Sequence, residues 1–299
     1  MKARLGIAPI AWTNDDLPQL GGDTPLEVCL SESREAGFSG TETGGKFPKT
    51  PRELKEVLAA HDLKLVSGWY SGRVLENDLA AEKDRAHAQL ELFHENGASV
   101  IVYGETTGTV QNQQHVPLAK RPRLDDAQMR DYGRKLTAFA EHCHAEKVPL
   151  AFHHHMGTAV ETEDDVNRLM NFSGEAVGLL FDTGHIKFAG GDGLRMAKRH
   201  GNRINHVHTK DIREKVLRSI DFNKTSFLDA VLAGIFTVPG DGMIDFKAVA
   251  KLCAEIGYEG WFVVEAEQDP KKANPLKYAK IGFEALSEAL TEAGYTIEA

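Results

Sequence analysis

Short apolar runs that break off on carboxylate and imidazole side chains limit what this chain can fold into more than any other feature. The run opening at Val177 ends on Asp182 and His185, and the run opening at Ile204 ends on His206, His208, Lys210 and Asp211. A parallel strand covered on both faces reads as such a run. In a β/α barrel the chemistry sits where those strands end. One polar terminus means little, but the pattern returns at His153, His154 and His155 and again at Glu265 and Glu267.

Between these runs lie helix-like stretches, and the alternation repeats about eight times along the chain. Strands are expected at 4–9, 40–44, 64–71, 99–104, 149–155, 177–182, 204–208 and 261–265. The helices between them are marked by caps and breakers: Thr-Pro opens both 24–36 and 50–61, and Gly37 closes the first of these. Further helices are expected at 80–96, 125–146, 162–172, 193–200, 245–256 and 274–293. Two irregular insertions stand out, near 105–124 and 213–242, and the first follows a strand as an active-site loop would. No linker or change of composition divides the chain, so 1–299 reads as a single domain. The first strand–helix turn has no GxGxxG, and polar strand ends recur around the whole chain rather than at one crevice. Both facts favour an α/β TIM (β/α)8 barrel over a doubly wound sheet.

A formal charge of −9 speaks against nucleic acid as a partner, and no block of Lys and Arg suggests a membrane surface. The 3 cysteines, Cys29, Cys143 and Cys253, lie far apart without a CxxC. That usage fits buried thiols in a reducing, cytoplasmic setting. The basic start and brief apolar run of the N-terminus are too short for a signal h-region and contain Pro9, so they read as the first strand. Homo-oligomerisation is left open.

Side chains alternate along a strand, so His206 and His208 share a face, as do Glu265 and Glu267. At a barrel mouth the ends of strands five to eight surround one space. Imidazoles and carboxylates gathered there repel or shift their pKa values unless something binds them. The mixed oxygen and nitrogen set suits Mn²⁺, Co²⁺, Fe²⁺ or Zn²⁺. Among the residues around it, Glu42, Asn14 and Asp15 follow strands and are candidates for substrate hydroxyls. Trp12 and Trp69 are candidate pocket walls, against the plainer reading that they pack in the core. Lys210, on the face of His208, is a candidate for proton transfer through a lowered pKa, against a salt bridge to Asp211 or Glu267.

Asp182-Thr-Gly-His185, His206-Val-His-Thr-Lys-Asp211 and Val263-Val-Glu265 resemble the xylose-isomerase-like TIM-barrel superfamily of sugar isomerases, epimerases and dehydratases. Within it, the Gly6–Asp16 stretch, His153-His-His-Met-Gly-Thr158 and Val160-Glu-Thr162 resemble the inosose dehydratases (2-keto-myo-inositol dehydratases) of inositol catabolism. The resemblance implies metal ligands at Asp182, His208 and Glu265. At strand five the chain departs from the superfamily's Glu-Asn-His. Either His153 takes the place of that Glu, which the usual Glu position favours, or Glu161 folds back to coordinate, which keeping the site's negative charge favours; the balance tips slightly to Glu161. His185 matches a histidine that faces substrate or stands behind the ligands.

The resemblance further implies a metal-dependent lyase that dehydrates 2-keto-myo-inositol (scyllo-inosose) to a trihydroxycyclohexane-dione, with Mn²⁺ or Co²⁺ as the metal and an association with glutathione. A proton beside a ketone is weakly acidic, so such a reaction needs charge stabilisation, a base and an acid. His153, His155, His185 and Lys210 are the candidates for the last two. An isomerase or epimerase of a sugar or inosose would use the same metal-enediolate chemistry and return the proton elsewhere. A non-catalytic sugar-binding barrel would bind its ligand indifferently to EDTA.

Overall fold

In the computed structural model, which describes residues 1–298, the apolar runs are strands. In chain order they are β1 (Lys2–Ile7), β2 (Gly40–Thr43), β3 (Lys64–Gly72), β4 (Ile101–Glu105), β5 (Leu150–His153), β6 (Gly178–Asp182), β7 (Ile204–Thr209), the short β8 (Asp211–Ile212) and β9 (Phe236–Thr237), β10 (Gly260–Val264) and β11 (Thr296–Glu298). The helices are α1 (Leu26–Glu35), α2 (Pro51–Ala60), α3 (Leu79–Glu95), α4 (Asp126–Ala145), α5 (Glu163–Phe172), α6 (Thr183–Phe188), α7 (Gly193–His200), α8 (Glu214–Leu217), α9 (Phe227–Leu232), α10 (Phe246–Glu255) and α11 (Pro275–Glu292). Strands β1 to β7 pair side by side in sequence order, β10 follows β7, and β10 pairs in parallel with β1 from Ala3↔Gly260 to Ile7↔Val264. The sheet therefore closes into an 8-stranded parallel barrel with helices around it, the TIM barrel that the alternation predicts.

Two kinds of core hold it. Between strands and helices lies the large apolar layer, with Leu5, Ile101, Phe139, Leu150, Phe181 and Phe262 among its buried members. Inside the barrel, Val66, Trp261 and Val263 meet across strands. Trp261 fills the centre only because β2 has no side chain there: a Cβ on Gly40 would stand 2.6 Å from both the indole and Val66. Higher in the same interior the filling changes from apolar to ionisable, through Glu42, Ser67, His206 and His208, all buried.

The two insertions pack on each other. Leu118 N donates to Thr225 O and Ala119 N to Phe222 O. Leu118, Met156, Phe188, Phe227 and Phe236 form a second apolar cluster beneath them. Four features differ from the sequence expectation. β5 stops at His153, because His155 N turns to bond Val160 O across a loop. The 213–242 stretch carries α8, α9 and β9, which pairs antiparallel with β8 just ahead of it. Asp182 directly caps the unexpected α6. β11 adds outside the barrel, beside the start of β1. Each of these elements is six residues or fewer and shows no readable period. Among the described residues no helix is long and apolar enough to cross a membrane, and Cys29, Cys143 and Cys253 are buried and unpaired.

Candidate active site

The strand ends converge on a group of four. One ligand-capable atom from each of His153, Asp182, His208 and Glu265 lies within 4.8 Å of the others. His153 Nε2 and His208 Nδ1 each stand 3.6 Å from Asp182 Oδ2, and His208 Nδ1 stands 2.9 Å from Glu265 Oε2. Asp182 Oδ2, His208 Nδ1 and Glu265 Oε2 are buried without a hydrogen bond of good geometry. Buried polar atoms without a hydrogen bond are costly, and three of them gathered at one centre fit a cation. Other atoms of the group are committed. Asp182 Oδ1 accepts from His185 N at 2.7 Å, and His153 Nδ1 faces the carbonyl of His154 at 2.6 Å. That contact puts the His153 proton on Nδ1 and leaves the Nε2 lone pair for a ligand. Two neutral or deprotonable imidazoles and two carboxylates are a donor set able to hold a divalent metal ion.

Glu161 is not part of this group, contrary to the expectation at strand five. Its Oε2 accepts from Gly157 N at 2.7 Å, and its Oε1 lies 3.1 Å from Arg121 Nε. Arg121, itself buried, also pairs with Asp165 at 2.8 Å. The 105–124 insertion thus brings in a cation that engages the Glu161 carboxylate, and the strand-five residue that stands in the group is His153. Arg121 carried no motif, so only the fold could reveal it.

Behind the four lies a charged relay. Lys210 Nζ is 2.8 Å from Glu267 Oε1, 3.0 Å from Glu265 Oε2 and 3.1 Å from His185 Nε2. Burial would lower its pKa, but Glu265 and Glu267 outweigh that and raise it. The lysine stays an ammonium: of its two sequence readings, the salt bridge to Glu267 is present and the lowered pKa is not. Burial pushes Glu267 up to about 7 against the pull of Lys210. Burial likewise depresses His153 and His185, and takes His155 to about 4, with Lys210 adding to the effect on His155 and His185. These three imidazoles are neutral at ordinary pH.

A cleft of about 680 Å³ opens above the group. His153, His155, His208, Glu265, Glu267 and Glu42 reach its wall, as do Trp69 and Asp15. Trp69 stands edge-on to His153 and His155, with ring centroids at 5.7 and 5.6 Å. Asp15 is steadied by Gly45 N, which donates to it at 2.7 Å. His185 and Lys210, expected to act directly, do not line the cleft; both are fully buried one layer behind. Nor do two of the expected substrate residues. Asn14 is buried, its Oδ1 accepting from Asp16 N and Leu17 N in a turn. Trp12 is a core residue whose Nε1 donates to Glu32. Residues that sequence reasoning passed over do line it: Asp16, Ser71, Arg73 and Arg85, with Thr106 and Gln111–Gln113 from the first insertion. The run of amides in that insertion was the one available signal. Phe227 and Phe236 roof His185, at 5.7 and 5.1 Å between centroids, and keep the relay dry.

The family described as xylose isomerase-like TIM barrel matches residues 30–295. The rhizopine catabolism protein MocC of Rhizobium meliloti is 52% identical over 99% of this chain and 91% of its own length. The inosose dehydratase of Geobacillus thermodenitrificans is 43% identical over 93% of this chain and 94% of its own length. Among solved structures, the IolI protein with a binding zinc atom superimposes with a TM-score of 0.64, covering 97% of each chain at 18% identity; at that identity the likeness concerns the fold.

Proposed function

The chain belongs to the xylose isomerase-like TIM barrel family, and from that premise we propose that it is a hydro-lyase that dehydrates an inosose, 2-keto-myo-inositol, to the corresponding trihydroxycyclohexane-dione. The observation that carries this is the convergence of Asp182 Oδ2, His208 Nδ1 and Glu265 Oε2, buried and without a hydrogen bond of good geometry, with His153 beside them at the floor of a polyol-sized cleft. The identity of 43% to an inosose dehydratase over nearly the full chain supports the substrate.

In this reading His153, Asp182, His208 and Glu265 hold a divalent ion, Mn²⁺ or Co²⁺ by the family resemblance. When bound, it supplies Lewis-acid stabilisation of negative charge on a ketone oxygen. The protein's own groups do the rest. His155 Nδ1 faces the Met156 carbonyl at 2.9 Å, so its proton sits there and an unprotonated Nε2 is left to take a proton. Glu267, raised to about 7 and reaching the cleft, is able to donate one to a departing hydroxyl. Lys210 holds Glu267 and Glu265 in place as a fixed positive charge, and His185 positions Lys210 from the other side. Trp69 supplies an apolar wall for a ring face, and Asp15 a hydroxyl acceptor. The buried unpaired thiols support a cytoplasmic setting. A role for glutathione rests on the family resemblance alone.

The test is to incubate the protein with inosose and Mn²⁺ in D₂O. Growth of a dione absorbance supports dehydration; solvent deuterium entering recovered inosose without dione would show an isomerase or epimerase instead. The relative at 52% identity favours a second reading, that the chain serves rhizopine catabolism. Loss of growth on a rhizopine, but not on myo-inositol, after removing this protein would support that.

A further inference from the structure

Glu42 reaches the cleft from the end of β2, yet its Oε1 is taken up by donors of the barrel interior. His206 Nε2 and His208 Nε2 each stand 3.0 Å from that oxygen, and Ser67 Oγ donates to it as well. An oxygen with two lone pairs facing three donors has little left for a substrate hydroxyl. Ser67 and His206 do not line the cleft; His206 lies two residues before His208 on the same face of β7, one layer deeper. The contacts run in a line from carboxylate through imidazole to the ligand group. One nitrogen of His208 meets Glu42, and the other, Nδ1, faces Asp182 Oδ2 and Glu265 Oε2. A neutral imidazole carries one N–H. Acceptance by Glu42 at Nε2 fixes that hydrogen there and turns the Nδ1 lone pair toward the ligand group.

We propose that Glu42 is a positioning residue for the metal site: it sets the tautomer and ring orientation of His208, while His206 and Ser67 hold Glu42 itself. The proposal rests on the reading of His153, Asp182, His208 and Glu265 as a divalent-metal site. It moves Glu42 from the substrate contacts expected of it to a support for a ligand. A carboxylate behind a histidine ligand both orients the ring and raises its basicity, so removing it weakens the metal first.

The experiment is metal titration of EDTA-stripped protein by calorimetry with Mn²⁺ and by visible absorption with Co²⁺, without substrate. The wild type is expected to bind one ion per chain. Glu42→Gln should lower affinity about 10- to 100-fold and alter the Co²⁺ spectrum, with KM for inosose little changed at saturating metal. Glu42→Asp, which withdraws the carboxylate by one methylene, should show the same loss and serves if Glu42→Gln fails to fold. Unchanged metal affinity with a raised KM in either variant overturns the proposal, since Glu42 would then work on substrate. So does a second ion per chain that the variants lose, since Glu42, His206 and His208 would then be ligands. No metal binding by the wild type removes the proposal's basis together with the metal site. Glu42-dependent metal binding in a protein that does not dehydrate inosose would leave the proposal standing and sink the functional reading alone.

Discussion

His185 shows how one position changes meaning between a sequence and a fold. Beside Asp182 in a metal-like motif it reads as an acid or base. In the structure it is fully buried, neutral, and accepts from the Lys210 ammonium at 3.1 Å. Its replacement in His185→Gln removes a support of Lys210 but no ligand. The variant should keep its metal and lose most of its turnover, measured as metal content and kcat side by side. Near-normal dehydration would reduce His185 to packing. At strand five, His153 points its Nε2 toward Asp182 while Glu161 is held by Arg121. His153→Gln is therefore expected to weaken metal binding by at least an order of magnitude, and Glu161→Gln to leave it nearly intact. The reverse pattern in a metal titration would restore Glu161 as the ligand. Both variants test the same question: sequence brought two candidate donors within eight positions, and a buried arginine from a distant loop separates them.

Among elements, the short β8–β9 pair and the turn after it depend on one carboxylate. Asp211 is fully buried and accepts from Ile212 N at 2.7 Å, Ile244 N at 2.9 Å and Gly242 N at 3.0 Å, stapling the 242–244 turn to the end of β7. Burial raises its carboxyl from 3.8 to about 6 in spite of these donors. A native pKa above the unfolded one means that the folded protein holds the proton more tightly between those two values. Its contribution to stability is therefore fully present below pH 4 and is lost as pH rises to about 6. At about 1.4 kcal/mol per unit the loss is on the order of 3 kcal/mol. Asp211→Asn has no such titration, so the stability of the wild type relative to this variant should fall across the window. Urea unfolding of both proteins at several pH values measures it; a flat difference would refute it. Asp211 also illustrates a limit of motif reading, since it sits in the His206–Asp211 signature yet serves the backbone rather than the ligand group.

For the whole molecule, the expected consequence of the site is linkage between metal and stability. The candidate ligands come from β5, β6, β7 and the residue after β10, so an ion bound there would tie together the last half of the barrel. At a free metal concentration of one hundred times Kd the gain is about 2.7 kcal/mol. EDTA should lower Tm and abolish dehydration together, and Mn²⁺ or Co²⁺ should restore both better than Ca²⁺, which prefers larger all-oxygen shells. Equal restoration by Ca²⁺ would contradict the imidazole-containing ligand set. What the sequence determined by itself was periodic and local. Apolar runs such as Val177–Asp182 and Ile204–His208 declare doubly covered strands, Thr-Pro and Gly37 mark helix ends, and the repeat of these signals leaves a closed barrel as the arrangement that buries every run. Polar residues at the ends of those runs are placed at one mouth by that closure, whatever the helices do. The tertiary structure alone decided which of them face the ligand centre, which face the cleft and which stand behind. Trp12 and Asn14 turn inward, Lys210 keeps its charge between Glu265 and Glu267, and Arg121 crosses from an insertion to hold Glu161. Apart from the local turn at Asn14, these outcomes depend on hydrogen bonds and charges between residues tens of positions apart. Such pairings have no period along a chain, and only the closed barrel brings their members within reach of one another.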